Sequence, residues 1–287
     1  MPASISLVVP IYNPGPHLPV LLQTVTAQQQ ADEIVLVDDA STDGTWDIIQ
    51  AYPDPRLRLH RFEHNQGSSA ARNHGLDAAQ GEFVALLDAD DFYLAFNLLD
   101  MQRAFLRGHP DHIYVGSSYV RVMASGDFER TVTLAETDTE IRWAGLFSAP
   151  WLPSGCMMRR NRVRFAPEQR GCEDNDYFSK LLKIGKGHNL GEIGIGYFML
   201  GGQSHIYGHS NFFNLLRTNR SNLQSLGLEA SFEDILTLRS FMAGVDKSQS
   251  AAAIVQIVFE RFKSVSQADD GALEKIGRDI ERLANRN

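Results

Sequence analysis

The chain has 287 residues, of which 43% are hydrophobic and 22% charged, and its formal net charge is −8. These values are ordinary for a globular protein with a buried core, built as one large domain or as one domain with an appendage. The negative charge and the lack of any basic run argue against a nucleic-acid partner. From Arg217 onward ten basic residues balance ten acidic ones, so the acidic excess lies in the first part of the chain. A phosphate-rich ligand bound there would need a cation as intermediary.

Targeting and redox signals are few. The two cysteines, Cys156 and Cys172, form no CxxC pair and suggest no disulfide framework. The first residues lack the charged and apolar regions of a secretory signal, and no apolar stretch approaches the roughly 18 residues of a membrane span. We therefore expect a cytoplasmic protein, with peripheral contact to the inner face of the membrane left open.

The first half of the chain alternates predicted strands and helices. Short apolar or alternating runs predict strands at 5–9, 33–37, 56–62 and 82–87. Residues 17–30 have helical spacing and 68–79 are rich in alanine, so both predict helices; Ser41 or Asp43 could cap a third helix ending at Tyr52. This alternation predicts an α/β fold with a parallel sheet.

Polar segments follow the four predicted strands. They are residues 10–13, 38–44, 65 and 88–91. In parallel sheets ligands bind beyond the carboxyl ends of the strands. The sequence therefore predicts a binding site at this edge of the sheet.

The second half is less regular and ends in helices. Further strands are predicted at 112–123, 151–159 and 194–200, and a helix at 173–184. Helical spacing returns at 232–242, 249–263 and 273–284. We predict a main domain over residues 1–210 and a C-terminal helical extension over 211–287. The apolar faces of the extension either pack against the main domain or pair two copies in a homodimer.

Three carboxylates stand together at Asp88, Asp90 and Asp91. Side chains alternate along a strand, so Asp88 and Asp90 would share a side if the strand extends that far. Neighbouring carboxylates raise one another's pKa unless a cation joins them. Oxygen ligands suit Mg²⁺ or Mn²⁺, which could bridge to a diphosphate. The alternative for this segment alone is a solvated turn with a helix cap.

Two other acidic segments are candidates for the site. Asp39, in the segment DDASTDGT, could accept hydrogen bonds from a nucleotide base or ribose. Glu173 and Asp174 lie near a predicted helix start, where the helix dipole favours an anion. A carboxylate aimed at a pocket can take the proton of an attacking alcohol. Taken alone, the Asp39 segment is explained by a turn with a helix N-cap, and the Glu173-Asp174 pair indicates nothing beyond helix electrostatics.

Taken together, these segments resemble family 2 glycosyltransferases with the GT-A fold. The matching stretches are VVPIYN (8–13), VDDASTDGT (37–45), NQGSSAARNHGL (65–76), GEFVALLDADD (81–91), PSGCMMRR (153–160) and CEDNDYFSKLLKIG (172–185). The resemblance covers about residues 3–200. It implies a Rossmann-like, mostly parallel sheet flanked by helices, followed by the C-terminal helical appendage.

The resemblance also implies an activity and residue roles. The activity is inverting transfer from a nucleotide-diphosphate sugar, most often a UDP-sugar, to a hydroxyl of a glycan or lipid-linked acceptor. Asp174 would be the general base, with Glu173 beside it, and Asp90 and Asp91 would bind the Mn²⁺ or Mg²⁺ ion. The residues expected at the nucleotide sugar are Pro10, Tyr12, Asn13, Asp39, Asn65, Arg72, Asp88 and Ala89. Arg72 and Asn73 would support the nucleotide or the loop beside it.

The sequence departs from the family pattern after the last core strand. Many members carry a Tyr-Arg-x-His-like stretch there, whereas residues 197–200 read YFML. A third protein ligand to the metal is therefore missing from its usual place. His205 is a candidate substitute, as is His209.

Competing functions were weighed against these motifs. A dinucleotide-dependent oxidoreductase needs G-x-G-x-x-G after the first strand, and that turn reads PIYNPGPH. The remaining rival is a non-catalytic protein that binds a sugar nucleotide or glycan on the same scaffold. The presence of Asp90 and Asp174 argues against it.

Overall fold

The computed structural model describes residues 4–123, 125–169, 171–199, 208–266 and 268–285. The chain divides into two compact units. The first contains residues up to 134 and from 151 to 207, and the second contains 135–150 and 208–287. Residues 135–150 thus group with the C-terminal helices, whereas the sequence placed them in the main domain.

The first unit is built on one nine-stranded sheet. Its strands are β1 (Ile5–Ile11), β2 (Glu33–Asp38), β3 (Leu57–Arg61), β4 (Phe83–Leu86), β5 (Phe92–Tyr93), β6 (His112–Met123), β7 (Phe128–Val132), β8 (Cys156–Arg159) and β9 (Lys186–Met199). The order is β3-β2-β1-β4-β8-β6-β9-β5, and β7 pairs with β6. Strands β1 to β4 run parallel, while β8 is antiparallel to both of its neighbours.

The central strands are buried over their whole length. All residues of β1, β2 and β4 are buried, as expected for a parallel sheet covered on both faces. The residues of edge strand β3 are half-buried or exposed. In the register of β1, Val8 pairs with Val35 on one side and with Leu86 on the other. The carboxyl ends of these strands therefore lie next to one another.

Among the described residues, the helices of the first unit are α1 (Leu18–Ala27), α2 (Thr45–Ala51), α3 (Ser68–Ala78), α4 (Leu98–Gly108) and α6 (Glu173–Leu181). Helix α3 lies very close to β1, because a Cβ atom added at Gly75 would come within 2.3 Å of Val8 Cγ1. This close approach explains the glycine in an otherwise alanine-rich helix. Trp151 is 5% exposed and belongs to the core.

Two local predictions are corrected. Strand β4 ends at Leu86, so Asp88 and Asp90 lie in a turn, closed by the Asp91 N–H donating to the Asp88 carbonyl at 3.1 Å. The alternation of side chains along a strand does not apply there. Helix α2 begins at Thr45 with Gly44 in the N-cap position and no side-chain cap. Asp43 instead accepts hydrogen bonds from the Thr45 N–H and hydroxyl.

The second unit is helical. It contains α5 (Asp138–Ala144), α7 (Gly208–Ser225), α8 (Phe232–Met242), α9 (Gln249–Val265) and α10 (Asp270–Ala284). Its core includes Trp143, Phe147, Leu238, Phe259 and Phe262. Among the described residues, no helix has the length and apolar character needed to cross a membrane. The predicted α/β fold with a C-terminal helical appendage is confirmed.

Candidate active site

The turn that follows β1 is tied to the turn that follows β2. Asn13 has a left-handed backbone conformation (φ 45°). Its N–H donates to Ser41 Oγ at 3.0 Å, and its side-chain oxygen accepts from the Thr42 N–H at 2.8 Å. Tyr12 is 43% exposed beside it, while Pro10 is buried within β1. The structure thus leaves the tyrosine ring accessible at the sheet edge.

Asp39 fastens the loop that follows β3. Its side chain accepts hydrogen bonds from the N–H groups of Gln66, at 2.7 Å, and Gly67, at 2.8 Å. The Asn65 side chain donates to the Asp39 carbonyl at 3.3 Å. Both carboxylate oxygens are engaged by the protein, and Asp39 is only 2% exposed. Its observed contacts are those of a loop support; contact with a nucleotide stays a prediction.

A cavity of about 500 Å³ opens at the ends of β2 and β3. It is lined by Ala40, Ser41, Thr42, Arg61, Phe62 and Glu63. Arg61 forms an ion pair with the fully buried Asp38 at 3.2 Å and donates to the Ser41 carbonyl. Arg61, Phe62 and Glu63 were not among the residues predicted for the site. The alternating pattern of residues 56–62 indicates an edge strand but gives no sign of a ligand.

Arg72 joins two of the acidic segments. Its guanidinium donates to Asp88 Oδ1 at 2.7 Å through Nη2 and to Glu173 Oε1 at 3.1 Å through Nη1. The group also lies over the Phe165 ring, at 5.3 Å. Although burial alone would lower it, the pKa of Arg72 is raised because the Asp88 and Glu173 charges outweigh burial. The acidic turn and the start of α6 are therefore held together by one buried cation.

The neighbouring Asn73 forms a two-bond clamp on the segment before α6. Its side-chain nitrogen donates to the Phe165 carbonyl at 2.9 Å, and its oxygen accepts from the Phe165 N–H at 2.8 Å. Asn73 thereby fixes the chain leading to α6.

Asp91 is built into the protein interior. It is 2% exposed and accepts hydrogen bonds from the Ser154 hydroxyl and, at 3.1 Å, from the Phe198 N–H. Ser154 also accepts from the Asp88 N–H at 3.0 Å. Burial, with the charges of Asp90 and Asp88, raises the pKa of Asp91 well above its usual range. These contacts fit a residue that anchors the turn on β8 and β9, and they do not favour the metal-ligand role predicted for it.

Asp90 differs from Asp88 and Asp91 in its contacts. It is half-buried and accepts no hydrogen bond from another residue that the structure describes. Burial and the nearby Asp88 charge raise the pKa of Asp90 to about 6. A cation beside it would relieve this repulsion. Asp90 is therefore the carboxylate of the turn best suited to a metal ion.

Asp174 lies in the first turn of α6, after Cys172 in a left-handed conformation (φ 52°). Burial and the adjoining Glu173 charge raise the pKa of Asp174 to about 6. Its carboxylate accepts a hydrogen bond from the Asn175 N–H at 2.9 Å. A half-buried carboxylate with a pKa near neutrality is suited to accept a proton.

Comparison with known proteins gives the family. The family model described as "Glycosyl transferase family 2" matches residues 6–164, more than half of the chain. The chain belongs to glycosyltransferase family 2.

The first three curated relatives cover less of the chain than the family model does. They match over short stretches, and the chain spans only 25% to 44% of their length. One relative is the Escherichia coli UDP-Glc:alpha-D-GlcNAc-diphosphoundecaprenol beta-1,3-glucosyltransferase WfaP, 33% identical over 31% of this chain and 36% of its own.

Solved structures of similar fold cover nearly the whole chain. S. aureus TarS in complex with UDP-GlcNAc superposes with a TM-score of 0.63 at 19% identity, over 98% of this chain and 89% of its own. The mannosyltransferase PcManGT from Pyrobaculum calidifontis, in complex with GDP-Man and Mn²⁺, superposes with a TM-score of 0.61 at 18% identity, over 98% and 81%. At these identities the similarity concerns the fold.

The described side chains do not complete the coordination of a divalent ion in this family 2 site, so a bound ligand would have to supply further oxygen atoms. Among the described residues, no three His, Cys, Asp or Glu side chains are arranged to hold a metal. Asp90 offers one uncommitted carboxylate, and a hydrated ion such as Mg²⁺ can be completed by phosphate oxygens and water. His205, the predicted substitute ligand, lies outside the described residues, as does the side chain of His209.

Several residues of this family 2 site were not expected from the sequence. Ser154 holds the acidic turn from inside the PSGC stretch, which was noted only as a motif. Tyr197 lies near the acidic turn. Burial and the charges of Asp91 and Asp90 raise the pKa of its hydroxyl. Only the fold makes Ser154 and Tyr197 apparent as neighbours of the turn. Ala89, which was expected at the nucleotide sugar, is half-buried between Asp88 and Asp90.

Proposed function

We propose that this protein transfers a sugar from a nucleotide-diphosphate sugar to an acceptor hydroxyl with inversion of the anomeric centre. The observation that carries the proposal is the buried Arg72, which joins Asp88 to Glu173 and so brings the acidic turn together with Asp174. A donor-binding group and a base with a pKa of about 6 are then adjacent.

The donor occupies the carboxyl edge of the parallel strands. Tyr12 is exposed there for contact with the base, and the turns around Asn13 and Asn65 border the nucleotide. Asp88 faces the ribose or sugar while Arg72 holds its carboxylate in place. UDP is the favoured nucleotide because TarS binds UDP-GlcNAc and the WfaP name specifies UDP-Glc.

A divalent ion, Mn²⁺ or Mg²⁺, is held by Asp90 together with the diphosphate. PcManGT contains Mn²⁺ with its nucleotide sugar, which supports this assignment. When bound, the ion stabilises the negative charge that develops on the departing diphosphate. Asp91 and Ser154 keep the turn in place.

Asp174 takes the proton of the acceptor hydroxyl. The hydroxyl oxygen then forms the bond to the anomeric carbon as the bond from that carbon to the diphosphate oxygen breaks. Because the oxygen attacks opposite the leaving diphosphate, the configuration inverts. Glu173 is held by Arg72 and the Ser68 hydroxyl, which fixes the first turn of α6 beside the base.

The acceptor is a hydroxyl of a growing glycan or of a lipid-linked sugar. WfaP, named for a diphosphoundecaprenol-linked acceptor, supports this class. The cytoplasmic location, contact with the membrane face and pairing through the C-terminal helices stay predictions, as does the domain boundary at residue 210.

The test is release of nucleoside diphosphate from a panel of nucleotide sugars, with Mn²⁺ and with or without candidate acceptors. Acceptor-dependent release, with product of inverted configuration by NMR, is expected. Binding of a nucleotide sugar, seen as thermal stabilisation, without release under any condition would favour the non-catalytic alternative.

A further inference from the structure

A second cavity, of about 280 Å³, lies between the end of α3 and the loop that follows β8. Three arginines line it, Arg160, Arg162 and Arg164, and the one acidic side chain among the described residues of its lining is Asp77. Residues 159–164 contain four arginines and no acidic residue. The net charge of −8 conceals this local positive excess, which was not recognised as a basic run in the sequence.

Strand β4 separates this cavity from the acidic turn. Because β8 is antiparallel to β4, Arg159 at the end of β8 pairs with Phe83 at the start of β4. The next residue, Arg160, donates its N–H to the Glu82 carbonyl at 3.0 Å, whereas Asp88 follows the other end of β4. The four residues of β4 span roughly 13 Å, which exceeds the Debye length of about 8 Å at physiological ionic strength. The exposed charges of the cavity are therefore largely screened from those of the turn.

Arg164 holds the loop of the cavity in place. Its Nε donates to Asp77 Oδ1 at 2.9 Å, and its Nη2 donates to the same oxygen. Its Nη1 donates to the carbonyls of Asn161, at 3.0 Å, and Val163, at 2.7 Å. The Asn161 side chain also accepts from the Val163 N–H and donates to the Arg159 carbonyl, both at 2.8 Å. The loop is thus fixed before any ligand arrives, and most donors of Arg164 are already used.

Arg160 and Arg162 keep donors for a ligand. Both residues are exposed. Nη1 of Arg160 makes two long hydrogen bonds, at 3.4 Å, to the carbonyls of Ala79 and Gln80 at the end of α3, where the helix dipole is negative. In the part of the chain that the structure describes, neither the other nitrogen atoms of the Arg160 side chain nor the Arg162 guanidinium forms a hydrogen bond or ion pair.

The chemistry of these two side chains fits a phosphate group. A guanidinium group is a planar fork of donors that binds phosphate oxygens in pairs. A phosphate monoester carries about −1.5 to −2 charges at neutral pH and presents three acceptor oxygens, so that it can engage both forks. At roughly 30 Å³ for each water molecule, the cavity has room for about nine. This space suits one phosphate group with its hydration water.

We propose that the cavity bounded by Arg160, Arg162 and Arg164 is a binding site for a phosphate group, separate from the donor site and independent of a metal ion. Arg160 and Arg162 bind the phosphate oxygens, and Arg164 with Asp77 positions the loop that carries them. The phosphate belongs to a free phosphate ester or to the headgroup of an anionic phospholipid, which share this chemistry. The proposal does not rest on the proposed function, since it uses no residue of the donor or catalytic site.

The first experiment is isothermal titration calorimetry of the full chain with inorganic phosphate. EDTA is present, so that no divalent ion mediates binding at the acidic turn. One phosphate per chain is expected to bind. Arg160→Met/Arg162→Met should weaken this binding at least about tenfold, and Arg160→Lys/Arg162→Lys, which keeps the charge but loses the forks, should lie between that variant and the wild type.

The matched control is Arg58→Met/Arg107→Met. It removes the same charge from two exposed arginines outside the cavity, and it should bind phosphate as the wild type does. Thermal unfolding of each variant verifies that it is folded.

The second experiment identifies the source of the phosphate group. The chain is sedimented with vesicles of phosphatidylglycerol and phosphatidylcholine, and with vesicles of phosphatidylcholine alone. Binding to the anionic vesicles that the Met variant loses and the control keeps supports the site and assigns it to a lipid headgroup. Binding of inorganic phosphate without binding to either vesicle supports the site and assigns it to a free phosphate ester.

Three results would overturn the proposal. One is a wild type that binds neither inorganic phosphate nor anionic vesicles. Another is equal binding by the wild type and the Met variant, or an equal loss in the Met variant and its control. The third is full binding by the Lys variant, which would exclude recognition by the guanidinium forks. Each of these results leaves the proposed sugar transfer untouched, because its residues lie beyond the other end of β4.

Discussion

The pKa of Asp174 gives a specific pH dependence for sugar transfer. Burial and the Glu173 charge raise that pKa to about 6. A general base acts only when it is deprotonated. The rate constant kcat/KM should therefore decrease as the pH falls through 6 and should reach a plateau above about pH 7.

The size of the effect follows from the deprotonated fraction. One pH unit below the pKa, about one carboxyl group in eleven is deprotonated, so kcat/KM at pH 5 should be about tenfold below the plateau. Asp174→Asn removes the base and should lower kcat by about 10²–10⁴. The pH dependence near 6 should disappear with it, while nucleotide affinity changes little.

The assay is coupled detection of nucleoside diphosphate release between pH 5 and 8.5. Saturating Mn²⁺ keeps Asp90 ionised, because a bound cation lowers the pKa of its ligand, so that Asp90 does not add a second decline. Asp176→Asn is the matched control, since Asp176 is on the same helix and forms an ion pair with Lys180 at 2.5 Å. It should keep both the rate and the pH profile.

A flat profile between pH 5 and 8 in the wild type would refute the raised pKa of the base. An unchanged rate in Asp174→Asn would refute the assignment itself. A similar decline in both Asn variants would point to a structural effect on α6 instead of a lost proton acceptor.

Three further predictions concern stability and metal dependence. Arg72→Met should destabilise the fold by about 3–5 kcal/mol, because it leaves two partly buried carboxylates without their cation. Urea denaturation measures this change. The control Arg278→Met, which breaks an exposed pair with Glu274, should cost less than about 1 kcal/mol. Gly75→Ala should cost about 1–3 kcal/mol, since its methyl group would overlap the Val8 side chain. Gly108→Ala, with no atom near the added methyl group, is the control in thermal unfolding, and equal effects would contradict the packing argument. Chelation by EDTA should abolish both transfer and thermal stabilisation by the nucleotide sugar, and Mn²⁺ should restore them; transfer that persists in EDTA would exclude the metal.

The sheet edge could be predicted because its signals are local. The strands β1, β2 and β4 are short apolar runs, and the polar segments follow them directly, so the place of Asp88 and Asp90 was apparent. Strand β9 begins at Lys186, earlier than predicted, because its glycine-rich first half has no apolar run and is specified by pairing with β6.

The connections within the site could not be predicted in the same way. Arg72 donates hydrogen bonds to Asp88 and Glu173, which lie 16 and 101 residues away in the sequence. No periodic pattern in the sequence predicts contacts between residues so far apart. The hydrogen bonds that Asp39 and Asp91 accept could not be predicted either. A sequence shows which residues carry a carboxylate, but it does not show which N–H and O–H groups lie beside that carboxylate in the fold.

The clamp between Asn73 and Phe165 bears on when the site forms during folding. Its two hydrogen bonds span 92 residues, and contacts of such sequence separation form slowly because a long loop must first be closed. A chain that has been synthesised only to about residue 164 has the sequences of β1 to β4 and of the acidic turn, but it lacks Asp174 and the Phe198 N–H that holds Asp91. The donor edge and the base are therefore expected to reach their final arrangement together, late in folding, when α6 and β9 join the sheet.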